Sequence, residues 1–87
     1  MSAEIIRKAR ELGYKGFQLF VINNAEETGI DILSHITPAF SPQQIEQVSL
    51  GLKQHMDVTV YADAKMPAEM MEQVRVWIEE NSGKLEL

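Results

Sequence analysis

The sequence predicts an all-α fold: a small helical bundle of about four helices, built from ~26-residue units of helix plus connector. Three observations predict it. Glu46–Gln47–Val48 returns 26 residues later as Glu72–Gln73–Val74. The same offset aligns apolar with apolar on either side, pairing Phe40 with Met66, Ile45 with Met71, Leu52 with Ile78, Ile22 with Val48, Ile30 with Met56 and Ile32 with Val58. Asp31 returns as Asp57 while the surface letters drift. Burial constrains side-chain size and solvent does not, so diverging repeats keep this pattern. The units fall at about 14–39, 40–65 and 66–87, behind an N-terminal helix over 2–13, all within a single domain 1–87.

The N-terminal helix runs from Ala3 to Leu12, with Ser2 as cap, Ile5, Ile6, Ala9 and Leu12 as its stripe, and Gly13 as its end. The second element contains "FQLFVI", which taken alone reads as a buried strand. The repeat register puts Ile22 where Val48 and Val74 stand and favours a helix that stops at Gly29. The third helix is the clearest. Ser41, Pro42 and Gln44 form a capping box with proline at the first helical position, where its missing N–H costs nothing. Phe40 and Ile45 suit a hydrophobic staple, and Ile45, Val48, Leu52 and Met56 share one stripe. Gly51 inside this helix should cost about 1 kcal/mol against alanine, which points to a neighbouring helix passing close by. The fourth helix opens at Pro67, and "NSG" at 81–83 is a stop signal with Gly83 at the C-terminal cap.

In the connectors, Asp31 and Asp57 each follow a helix end and are expected to cap a single turn, "ILSHI" and "VTVYA". Asp63 is expected to lead into the fourth helix, and Pro38 fixes the approach to the third. The competing reading is an α+β fold with strands near 17–22 and 57–61, where "DVTVYA" alternates, and a third at "KLEL".

Composition narrows the function. A chain of 87 residues with 45% hydrophobic and 24% charged residues makes one small folded domain, not a disordered segment. Its formal net charge is −5, and Arg7, Lys8 and Arg10 form the one basic cluster. Gripping phosphates needs a positive face, so nucleic acid is a poor first expectation. With no cysteine, disulfides, thiolate catalysis and cysteine-held zinc are excluded. No leader and no membrane span are expected, since no run nears the ~18 apolar residues a span needs. We expect a cytoplasmic protein.

The search for chemistry finds little. His35 aligns with Tyr61 and His55 with Gly29, so the two histidines are not equivalent, and neither sits in a ligand motif. Asp31, Asp57 and Asp63 lack the spacing and glycine turn of a calcium loop. Glu26–Glu27 and Glu79–Glu80 read as solvated helix faces. No nucleophile–base set, phosphate loop or carboxylate pair is present, so no catalytic residue, cofactor or metal is expected. A hollow gathering His35 or His55 with a carboxylate is the arrangement that would support a small enzyme. Met56, Met66, Met70 and Met71 with Trp77 suit core filling, yet the fourth helix has more apolar surface than one face can bury. Met70 and Trp77 lie on one edge, Met71 and Ile78 on the other. These four are the candidate contacts for a protein partner or for a second copy in a homodimer.

The run "QQIEQVSLGLKQHMDVTVYADAKMPAEMMEQVRVWIEE" resembles a short helical repeat of Gram-positive gut bacteria, often carried on phages or conjugative elements. The matching residues are Phe40, Gln44, Ile45, Val48, Gly51, Leu52, Asp57, Val58, Thr59, Tyr61, Ala62 and Asp63, then Met66, Met70, Met71, Val74, Arg75 and Ile78. His55 stands in place of a glycine, Ala64 in place of a proline, and Trp77 in place of the small residue at the Gly51 position. The resemblance implies an all-helical architecture and no chemistry. The function expected is a non-catalytic interaction module. A nucleic-acid-associated regulator, resting on the mobile-element setting and on Arg7, Lys8 and Arg10, is the alternative. A small enzyme comes last.

Overall fold

Two of the helices begin where a serine side chain offers a partner for their first N–H groups. The structure is a computed structural model describing residues 2–85, with side chains to position 82. Positions 86–87, which end the third unit and "KLEL", lie outside the described residues. Ser2 Oγ accepts the Ile5 N–H at 3.3 Å and starts α1 (Ala3–Glu11). Gly16 precedes α2 (Phe17–Glu27), and the segment "FQLFVI" is helical. Ser41 caps α3 (Pro42–Lys53) with both arms of the capping box formed. Pro67 O accepts the Met71 N–H ahead of α4 (Ala68–Leu85). A 3₁₀ turn, Val58–Val60, lies in the second connector, and no strand forms among the described residues.

The first three helices end alike. Gly13, Gly29 and His55 take left-handed backbone, at φ 103, 86 and 58. The next residue then returns its N–H to the carbonyl five back: Tyr14 to Ala9, Ile30 to Ala25 and Met56 to Gly51. This closure satisfies carbonyls that a helix end leaves open. Asn81 stands 26 residues after His55 and does not do so; α4 continues through Asn81–Ser82–Gly83. The expected stop therefore fails. Asn81 Nδ2 donates to Trp77 O and Ser82 Oγ to Glu79 O, so side chains bond back within the helix and do not break it. At the other end of the chain, Leu12 is the C-cap of α1 and half-exposed, not part of the buried stripe.

The repeat is written in hydrogen bonds. Buried Gln18 takes the Lys15 N–H on Oε1 at 3.0 Å and gives Nε2–H to the carbonyls of Pro38 at 3.0 Å and Phe40 at 2.6 Å. Twenty-six residues on, buried Gln44 takes the Ser41 N–H at 2.7 Å and gives Nε2–H to Ala64 at 2.9 Å and Met66 at 2.7 Å. Each glutamine thus bolts the lead-in of its own helix to the lead-in of the next. Thr37 and Asp63, also 26 apart, each accept the N–H two residues on with their side chains. Their carbonyls take the Phe40 and Met66 N–H groups.

The connectors differ at the aspartates. Asp57 accepts the Thr59 N–H and caps the 3₁₀ turn. Asp31 was expected to do likewise. Its carboxylate instead accepts the Ser34 hydroxyl, while Glu26 takes the Ile32 N–H, and the segment closes as a plain turn through His35 N–H to Ile32 O. No 3₁₀ turn forms at 32–34, so the aspartate has no helical turn to cap.

The helices form a row. α1 packs on α2, α2 on α3 and α3 on α4, with no contact between elements further apart, giving extents of 43 × 25 × 15 Å. A thickness little above one helix diameter means that the connectors supply much of the core. Ile32, Ile36, Phe40, Val58 and Tyr61 are all buried, alongside Ile22, Ile45, Val48 and Met71 from the helices. Gly51 is explained here. Its close neighbour is the second connector, not a helix: a Cβ at 51 would meet the Tyr61 hydroxyl and stand 2.7 Å from Val58 Cγ1. The Tyr61 hydroxyl donates to Gln47 O at 2.6 Å, across the surface that glycine clears.

Three outcomes follow. Gln44→Ala removes three hydrogen bonds and strands two carbonyls, so urea unfolding should show a loss of about 2–4 kcal/mol; Gln44→Glu should do little better, since it keeps the acceptor but not the donors. Gly51→Ala gains about 1 kcal/mol of helix propensity, but overpacking of about 1–3 kcal/mol outweighs it, and the melting temperature should fall. Burial raises the Tyr61 hydroxyl pKa from 10.0 to about 12, against a lesser opposing pull from Arg75. The unfolded tyrosine loses its proton first, so this stabilisation is intact below pH 10 and lost as pH rises to 12. Tyr61→Phe should flatten that descent in pH-dependent urea titrations, leaving the part due to Tyr14, whose pKa burial also raises.

Candidate functional site

In a stack whose core is filled by connectors, surfaces of interest are those where an apolar side chain has no packing duty. The repeat gives a reference, because each exposed position has a counterpart 26 residues away.

On α2, Phe17 is 78% exposed and Phe20 53%. Their counterparts are polar: Gln43 and Glu46 on α3, Glu69 and Glu72 on α4. Phe17 and Val21 form one wall of an open groove of about 420 Å³, with Pro42, Gln43, Glu46 and Gln47 on the other. Exposed Phe17 beside Glu46 makes a surface that would take an apolar anchor with a basic neighbour, and Phe20 stands one turn on along the same helix. Sequence reading missed this face because it placed "FQLFVI" in a helix without asking which positions the register leaves outside. The signal was present, since the offset that pairs Ile22 with Val48 also pairs Phe20 with Glu46.

The four candidate residues on α4 divide. Met71 is fully buried, and Ile78 is half-buried against the core. Met70 is 50% and Trp77 56% exposed. Trp77 lines a shallow depression with Glu72, Gln73, Val76 and Glu80. Behind it, the largely buried Arg75 donates Nε–H to Gln47 Oε1 at 3.0 Å and pairs with Glu79 at 3.7 Å, fixing α4 against α3.

The histidines do not meet in one site. Half-buried His35 gives its Nδ1–H to Asp31 O at 2.9 Å, within its own turn. His55 lies in a hollow that Asp57 and Glu79 also line. Both carboxylates have other partners. The Thr59 hydroxyl, then its N–H, hold the Asp57 carboxyl below the usual range, and Glu79 pairs with Arg75. No hydrogen bond joins either to the imidazole, but the hollow does gather His55 with two carboxylates, the arrangement that would support a small enzyme. Among the described residues no three His, Asp or Glu side chains gather as metal ligands. Arg7, Lys8 and Arg10 are exposed on α1, with Arg7 paired to Glu11 at 3.4 Å.

No family model, curated protein or solved structure matches the chain. No helix among the described residues is long and apolar enough to cross a membrane.

Proposed function

We propose that this chain is a non-catalytic protein-interaction module of helical-repeat type, of the kind carried on bacterial mobile elements and acting in the cytoplasm. The observation that carries the reading is the α2 ridge. Phe17 and Phe20 stand in solvent at positions where both other units place glutamine or glutamate. Leaving two aromatic rings in water lowers solubility and adds nothing to the fold, while aromatic side chains are the commonest anchors of protein interfaces. The mobile-element setting rests on the resemblance of residues 40–80 alone.

The partner's chemistry follows from the groove. An aliphatic or aromatic side chain fits between Phe17 and Pro42, and a lysine or arginine beside it would meet Glu46. Peptide display against the purified protein should enrich an apolar residue next to a basic one. The double variant Phe17→Ser/Phe20→Ser should keep its stability within about 0.5 kcal/mol, because surface changes cost little, yet lose at least about 2 kcal/mol of binding. Selected peptides that bind this variant as well as the parent would refute the surface, and so would a display that enriches nothing.

A further inference from the structure

The units stack through one recurring helix stripe. On α2 it runs through Gln18, Val21 and Ala25, and on α3 through Gln44, Gln47 and Gly51. In both, the glutamine bonds the next lead-in. On α3 the small residue leaves room for the following connector, where the Tyr61 ring lies over Gly51. The same register on α4 gives Met70, Gln73 and Trp77. This stripe faces outward at the end of the row, with Met70 and Trp77 half-exposed.

Two properties of the stripe decide what can cover it. It cannot accept a further unit of the same kind. Methionine has no N–H to give the two carbonyls that Gln18 and Gln44 hold, and the Trp77 indole fills the space that a connector ring needs. Nor is it a polar surface, since Met70 and Trp77 present apolar area to solvent. α4 is also the longer helix: it has 18 residues, where α3 has 12. A long helix whose edge carries Met70 and Trp77 on either side of Gln73, closed to its own connectors, suits a bare helix as its neighbour.

We propose that the outward stripe of α4 pairs with the same stripe of a second copy, antiparallel across a two-fold axis near Gln73. Met70 and Trp77 are two turns apart, about 10.5 Å along the helix. The two-fold therefore sets Met70 of each copy on Trp77 of the other, a sulfur–aromatic contact made twice. The pairing continues the α2–α3–α4 row by one more helix, and so joins two rows end to end. It uses a surface separate from the α2 ridge and does not depend on that reading. One helix pair buries less than the ~1,200 Å² of stable complexes, so the dimer belongs to the weak class. Each copy carries a net charge of −5, and Glu72 and Glu80 flank Trp77. Added salt therefore strengthens the dimer by screening repulsion.

Trp77 is the only tryptophan, so it reports on its own burial. Sedimentation velocity from roughly 1 µM to 1 mM should show monomer passing to dimer and no further, with Trp77 emission shifting to the blue over the same range. Met70→Gln/Trp77→Ala, which installs the residues of the first unit, should weaken the dimer more than about tenfold with circular dichroism unchanged. Phe17→Ser/Phe20→Ser should leave it intact. A wild-type chain that stays monomeric with constant emission overturns the proposal without any variant. Loss of the dimer in the α2 variant overturns it as well. Growth beyond a dimer, or weakening by salt, would do the same by pointing to a head-to-tail contact between the acidic α4 and the basic cluster of α1.

Discussion

The architecture depends on two buried amides. Gln18 and Gln44 each sit where a helix begins, accept an N–H from their own lead-in, and give both amide protons to carbonyls of the next lead-in. A connector that carries half the core must enter it, and entering takes backbone carbonyls away from water. Without donors inside, such a segment would stay at the surface and the helices would have no core to close on. One glutamine satisfies two carbonyls at once and in doing so fixes the spacing of successive helices. The 26-residue period is the chain length from one such amide to the next.

Around that fixed frame, the units adjust by paired changes. Where the second unit has Tyr61 over Gly51, the first has His35 with Ala25 at the glycine's place. The larger ring goes with the smaller helix residue. Asn23, Ser49 and Arg75 share another position. Asn23 accepts the Ser2 N–H and holds α1 to α2, although its Nδ2 finds no partner among the described residues. Arg75 reaches Gln47 and holds α4 to α3. The three residues differ in chemistry, and two of them tie neighbouring helices with polar contacts that match only their own neighbours. Such contacts specify the order of a stack whose apolar interfaces are otherwise alike.

The proposed interactions use what the frame leaves outside. The buried residues that repeat are those that build the row. Among the residues that break the repeat at the surface are Phe17 and Phe20 on α2 and Met70 and Trp77 on α4. They lie on different helices, and each replaces a polar or small counterpart. A repeat fold is well suited to this division, because surface positions change without cost to the units' packing.

The sequence by itself determined the periodic part of this protein. The 26-residue offset, the Ser41–Gln44 box and the glycines at 13 and 29 each name a local event that depends on a few neighbouring residues, and helix starts and ends are events of that kind. The offset also resolved "FQLFVI" in favour of a helix, which local composition could not. Met70 and Trp77 were placed on a separate edge from Met71 and Ile78 by helical periodicity alone. Only the tertiary structure decided the rest. Gly51 looked like a helix–helix contact because its neighbour, Tyr61, lies beyond the helix end. Gln44 read as a capping residue, and its second task at Ala64 and Met66 is invisible without the fold. Asn81 and Gly83 resemble a stop, yet the Asn81 and Ser82 side chains bond back to the Trp77 and Glu79 carbonyls and the helix runs on. Local signals say which backbone states are allowed, and long-range packing selects among them.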